Sequence, residues 1–463
     1  MIVHVFNNKI DLKAARTVDC PGSRDTERNS FMKKTGLCKK RLFIIFLAAI
    51  TFIAAFPLTS FAGAQYPTIY IVGQGAKLTA DGTLNGKQIY PVEIPENYIA
   101  EVGEPLIKPL MNGMLLNRWD KYNEGLYEAV IPFLAPFALG KNGVPQDKSG
   151  CSYKSSSSPT PIYPGSEYKL YNFNYDWRLD PVELAEQLNA YILKIKTARK
   201  VEKVNVITRC LGAEIMLAYF DRYGGKDIND CILCCLGFDG FNTIGAVFAG
   251  EIKLNARAID RFTRLYLSTE EYAGDPTVEM LQSLITVLRY NLTLDLTADA
   301  VEKLFRGVKE DAFKRLMLES LATMPSFWSY IGDEYYEKAK SFLFGDKEED
   351  YAALIEKIDN YHYNIMNRYP EILDRADADG VRMYNICKYG FQSLPVLGND
   401  KNMSDMLLQT EYSSLGAVCA DIDSVLPRSY ILSHDKNYIS HFFPNCFMIS
   451  STTIIYFCFC ILK

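Results

Sequence analysis

Histidine is scarce in this chain: only His4, His362, His434 and His441 occur in 463 residues. Chemistry that needs an imidazole base therefore has few places to find one. A surplus of charge is missing too. The formal net charge is −5, and no long Lys/Arg-rich run lies outside the N-terminal region. That leaves no electrostatic footprint for a nucleic acid, so small or lipidic partners are expected. Internal repeats are absent. The 12 cysteines show no framework spacing. Cys231, Cys234 and Cys235 fall within DCILCCLGF, an apolar run that reads as a buried strand rather than a metal site. Free buried thiols are the expectation, and no metal or organic cofactor is implied. What the chain has in quantity is apolar surface: 48% of its residues are hydrophobic. A large core follows, in one big domain with insertions or in two domains, and disordered and fibrous classes are excluded.

Residues 1–64 read as an N-terminal extension ending in a secretory signal. Basic KKTGLCKKR (Lys33 to Arg41) precedes apolar LFIIFLAAITFIAAFPL (Leu42 to Leu58), and an A-x-A pattern ends at Ala64. A secreted or extracytoplasmic protein is expected, with an uncleaved membrane anchor as the rival. At the other end, residues 442–463 form an apolar tail of different composition. No residue from Phe442 to Leu462 is charged, yet Pro444, Asn445 and a Ser/Thr cluster make it a poor spanning helix. A weak anchor, a buried edge and an altered reading frame remain open for it.

Between these ends the pattern is α/β. PTIYIVGQGAKL gives a short strand, Ile69 to Val72, broken by Gly73-Gln74-Gly75. Residues 141–166, rich in Ser, Pro and Gly, read as a long surface loop. Tyr168 to Phe173 reads as a strand. Asp180, Pro181 and Glu183 then supply an N-cap, a first-turn proline and a capping-box partner. Leu184, Leu188, Tyr191, Ile192 and Ile195 share one face of the helix that follows, and Val204 to Ile207 form the next strand. Strand, helix, strand predicts a mostly parallel sheet flanked by helices. Residues 65–250 and 376–441 make the two parts of this core, and residues 251–375, helical in pattern, an inserted cap.

The stretch VNVITRCLGAE places Cys210 at a strand-to-helix turn, where many hydrolases carry a nucleophilic serine. Gly212 meets the demand for a small residue after the apex; Thr208 stands where a G-x-S-x-G motif has its first glycine. A thiolate at Cys210 is expected to gain from the helix N-terminus and from Arg209. The N–H groups of Leu211 and Gln74 are the candidate oxyanion donors. Asp405, in the loop after a late strand, is the candidate acid, and His434 or His441 the candidate base. His362 reads as a solvated or packed residue. Gly73, Gly75, Asp176 and Trp177 are candidates for shaping the substrate site, with structural duty as the rival reading for Asp176 and Trp177.

Taken in order, VGQG, YDWR (Tyr175 to Arg178), the capped helix, the elbow and MSD…SSLGA resemble the lecithin:cholesterol acyltransferase and lysosomal phospholipase A2 type of α/β-hydrolase, from about Pro67 to Ala420. The resemblance implies an α/β-hydrolase fold with a helical cap, and transfer of an acyl group from a lipid to water or another alcohol. It also implies a Ser-Asp-His site, from which this chain departs: the family has His-Ser where Arg209-Cys210 stands. Dienelactone hydrolases, also α/β-hydrolases, work with cysteine. An acyl-ester hydrolase or acyltransferase meeting a lipid or membrane surface is therefore expected. The rivals are a silent lipid- or protein-binding module on the same fold and a membrane-tethered surface protein.

Overall fold

Short β-branched and aromatic runs, each followed by a turn or a helix start, become the strands of one sheet. The computed structural model describes residues 66–450 apart from 75, 96, 163–165, 167, 268–292, 400, 423, 427 and 430–445. The segment expected to be a signal, His4, Gly75, His434 and His441 lie outside the described residues. The strands of the main sheet are β1 (Thr68–Ile71), β2 (Thr160–Pro161), β3 (Lys169–Phe173), β4 (Val204–Arg209), β5 (Ile228–Cys234), β6 (Arg382–Tyr389) and β7 (Cys446–Ser450). Their order is β7-β6-β5-β4-β1-β3-β2. All neighbours pair in parallel except the edge pair β2 and β3.

The order reverses between β1 and β4. From β1 the chain builds outward to β3, then crosses back to β4 and builds the other half. Ligands of open α/β sheets bind beyond the carboxyl ends of the strands at such a switch point. Topology therefore directs attention to the loop after β1 and the turn after β4.

The crossover from β3 to β4 is helix α1 (Pro181–Arg199). Asp180 caps it, its Oδ1 accepting the Val182 N–H at 3.0 Å, and Pro181 needs no N–H partner at the first helical position. Glu183 does not complete a capping box; it pairs with Lys357 at 2.7 Å. Leu184, Leu188, Tyr191, Ile192 and Ile195 are buried as the periodicity predicts. Each contributes roughly 1.5–3 kcal/mol of burial. Helix α2 (Leu211–Tyr223) follows β4 and is almost wholly enclosed. An alanine Cβ at Gly212 would stand 2.6 Å from the Ile71 carbonyl, so only glycine lets this helix start against β1.

One point differs from the sequence reading. The Ser/Pro-rich loop at 141–166 contributes two short strand segments, Gly150–Cys151 and β2. Their ladder bonds, not apolar alternation, define them. In the tail, residues 446–450 join the sheet as the edge strand β7, beside β6.

Every element described between the end of β5 and β6 is helical, from Asn242–Phe248 to Tyr369–Ala378. These helices enclose a second apolar cluster that includes Phe248, Trp328, Tyr336, Phe344 and Leu354. The helices Tyr98–Leu116 and Asp120–Leu134 join them: Asn123 donates to the Gly307 carbonyl at 3.2 Å, and Arg315 pairs with Glu124 at 2.9 Å. Among the described residues no helix is long and apolar enough to cross a membrane.

Candidate active site

Cys210 sits at the apex between β4 and α2 with φ 50° and ψ −123°, a conformation that a residue with a side chain adopts only under strain. Its N–H still bonds the Cys234 carbonyl at 3.0 Å, so the sheet ladder holds the chain up to the apex. The bend then turns the chain into α2 within one residue. A strained strand-to-helix elbow at the switch point of a parallel sheet is the nucleophile-bearing turn of one fold family. The fold is α/β-hydrolase-like.

The loop after β1 passes directly against this apex. An alanine Cβ at Gly73 would stand 3.1 Å from Cys210 Cβ and from the Arg209 carbonyl, which is why glycine occupies 73. The YDWR segment fixes both ends of the loop. Tyr175 donates to the Val72 carbonyl at 2.5 Å, and Trp177 Nε1 donates to the Ala76 carbonyl at 3.0 Å. Between these anchors lies Gln74, whose Nε2 is buried without a hydrogen-bond partner.

Asp176 and Trp177, read from the sequence as shaping the site or tying the strand end to neighbouring loops, both make structural contacts. Trp177 is 2% exposed and packs against Tyr90. Asp176 takes the fork of the fully buried Arg178, with Nε–Oδ1 at 2.9 Å and Nη2–Oδ2 at 2.6 Å. Arg178 also donates to the carbonyls of Phe137 and Ser149. Trp177 holds the loop after β1, and Asp176 holds Arg178 against the segments that carry Phe137 and Ser149.

The electrostatics of Cys210 reverse one expectation. Burial pushes its thiol up to about 11, outweighing the lowering by a Tyr330 hydrogen bond; the fields of Asp405 and Glu214 raise it further. The helix N-terminus and Arg209 do not produce a resting thiolate, because the loss of solvation around the sulfur outweighs them. Tyr330 is the partner that sequence reasoning missed. Its hydroxyl lies 3.2 Å from Cys210 Sγ, and its fully buried ring packs tilted against Phe241 at 4.4 Å between centroids.

Asp405 lies on the same end of the sheet, close enough for its charge to raise both Cys210 and Cys235. Its Oδ1 accepts the N–H groups of Leu407 and Leu408 at 3.2 and 2.9 Å, closing its own turn. Glu214, one helical turn after Cys210, is fully buried. It accepts the Gly237 N–H at 2.9 Å and the Tyr361 hydroxyl at 3.1 Å, and burial pushes it up to about 8.

His362 is the histidine among the described residues, and it does not meet Cys210. Its Nε2 pairs with Asp333 at 3.0 Å and its ring stacks on Tyr336 at 3.6 Å. The candidate bases His434 and His441 lie outside the described residues. β7 begins at Cys446, level with Asn385, and passes Cys387 on its way to Ser450. A cavity of about 540 Å³ opens beside Lys141, Gln146 and Asp350, and none of the candidate residues lines it.

No protein-family model matches this chain, and no curated protein matches it. Among solved structures, the crystal structure of the Tle4-Tli4 complex aligns over 70% of this chain and 75% of that one, at 11% identity with a TM-score of 0.28. A likeness at that score bears no weight; the fold assignment stands on strand order and the elbow.

Proposed function

We propose that the chain is an exported hydrolase of lipase or acyltransferase type that acts on acyl esters, lipids foremost, through an acyl-enzyme at Cys210. The observation that carries this reading is the backbone at Cys210, φ 50° and ψ −123°. Strain of about 1–3 kcal/mol is retained where it presents a side chain to a ligand. In the reaction, Cys210 Sγ attacks the ester carbonyl while a base takes the thiol proton. The Leu211 and Gln74 N–H groups receive the oxyanion, the alcohol leaves with the proton, and water then cleaves the thioester. His434 or His441 supplies the base, and Asp405 orients it. Because the thiol rests protonated, proton removal belongs to the attack itself, as with a serine nucleophile. The inserted helices form a cap over the acyl chain.

Hydrolysis of a short-chain p-nitrophenyl ester tests this reading. The Cys210→Ala protein is expected to lose about 10³-fold or more in kcat, and so is whichever of His434→Ala and His441→Ala removes the base. Unchanged turnover in Cys210→Ala ends the proposal.

The second reading, a silent binding module, draws on the raised Cys210 thiol and on His362 being engaged elsewhere. Cys210→Ser separates the two: turnover by the serine form alone means a site silenced at one atom. Export rests on the basic, apolar and A-x-A sequence of residues 33–64. N-terminal sequencing of the mature protein is expected to begin at Gln65, and an intact Met1 on membrane-bound protein would overturn that part.

A further inference from the structure

Three cysteines stand in one row at the carboxyl ends of neighbouring strands. Arg209, Cys234 and Ile386 are register partners on β4, β5 and β6. The residues that follow them are Cys210, Cys235 and Cys387. The ladder continues through this row: the Cys210 N–H bonds the Cys234 carbonyl and the Cys235 N–H bonds the Ile386 carbonyl, both at 3.0 Å. Cys210 and Cys235 pack into the same apolar cluster, whereas Cys234 and Ile386 face the opposite side of the sheet. Both backbones bend away at positive φ, 50° and 54°. Cys387 is already engaged, its Sγ donating to the Ser413 carbonyl at 2.8 Å.

Neighbouring strands stand about 4.8 Å apart, and Cα separations of roughly 4.4–6.8 Å suit a disulfide. We propose that Cys210 and Cys235 are an oxidative modification site, Cys235 acting as the resolving thiol that closes a reversible disulfide over the nucleophile. With glutathione disulfide as oxidant, Cys210 as thiolate attacks one sulfur and releases one glutathione. Cys235, deprotonated, then attacks Cys210 Sγ and releases the second. Two thiol protons and two electrons leave the protein, and one glutathione disulfide becomes two thiols. Cys210, partly exposed, is the entry point; Cys235, 6% exposed, is reached only from within. Burial raises both thiols, so no stabilised thiolate favours the reduced form.

The inference takes its consequence for activity from the proposed function, but the bond itself is read without turnover. The full chain is equilibrated in buffers of graded reduced-to-oxidised glutathione, remaining thiols are alkylated, and tryptic peptides are mapped. Cleavage after Arg209 gives Cys210 a peptide of its own, ending at Arg222. The expected result is that this peptide joins the one from Asp227 to Lys253, with two hydrogens lost and fragmentation placing the link at Cys235. Free Cys210 should fall about tenfold or more and return with dithiothreitol. In Cys235→Ser the expected product is instead a glutathione adduct on Cys210. Cys210 remaining free throughout, stopping at the glutathione adduct in the unsubstituted protein, or Cys235 pairing with Cys387, each overturns the proposal. Linkage without any esterase activity would remove the proposed function and leave this site; turnover without linkage would do the reverse.

Discussion

Alkylation of Cys210 by iodoacetamide is expected to be very slow at pH 7 and to accelerate about tenfold with each pH unit, reaching about 10³-fold by pH 10. The thiolate is the reacting form, and burial pushes this thiol up to about 11. Only about one molecule in 10⁴ is therefore ionised at pH 7. Peptide mapping separates Cys210 from Cys151 and Cys419, the other partly exposed thiols among the described residues. A plateau near neutrality would defeat the prediction. It would mean that a cation, such as an imidazolium from His434 or His441, holds a resting thiolate.

Tyr330 sets the direction of a companion result. Its hydroxyl, 3.2 Å from Sγ, can donate to the thiolate as it forms. A hydrogen bond to a charged group is worth about 1.5–3 kcal/mol. Tyr330→Phe should therefore slow alkylation by about tenfold or more at each pH in that window. Faster alkylation in the variant would identify Tyr330 as a shield over the sulfur rather than a donor to it.

The route to this site was partly legible in the amino-acid order. Ile69, Ile71, Val204 and Val206 announced buried strands, and Asp180 with Pro181 announced the start of the crossover helix, because these signals are local. The same is true of the Cys210 apex and Gly212, where sterics alone restrict the choice. Tyr330 was not legible: it reaches Cys210 from 120 residues away through the inserted helices. The thiol's raised pKa was missed for the same reason, since desolvation is a property of the assembled enclosure rather than of the helix start. Glu183 shows a local rule overridden, its carboxylate drawn to Lys357 instead of its own helix. The fixing of the loop after β1 by Tyr175 and Trp177 joins residues more than 100 positions apart. YDWR could be quoted as a motif, but its mechanical role needed the fold.

Glu214 carries the largest expected effect on stability. It is fully buried, and burial pushes it from an ordinary 4.5 up to about 8. Below pH 4.5 folded and unfolded chains both hold its proton, and the folded state bears no penalty. Between 4.5 and 8 the unfolded chain releases the proton while the folded chain keeps it, so stability falls as pH rises. Above 8 both are ionised and the loss is complete, on the order of 4–5 kcal/mol. Glu214→Gln removes this titration while keeping the contacts: its Oε1 can accept the Gly237 N–H, and its Nε2 can donate to the Tyr361 hydroxyl. The variant and the unsubstituted protein should therefore be about equally stable near pH 4.5 and diverge in favour of glutamine up to pH 8. Asp180, also buried, is pushed up to about 7 and titrates with the same sign. The difference between the two proteins in urea midpoint, not the slope of either, is therefore the quantity to follow. A difference that stays flat with pH, or glutamine losing at pH 8, would mean that Glu214 is held as a carboxylate by the Gly237 and Tyr361 donors. In that event its charge would also bear on Cys210 at neutral pH, and Glu214→Gln should speed alkylation of the thiol there instead of only above pH 8.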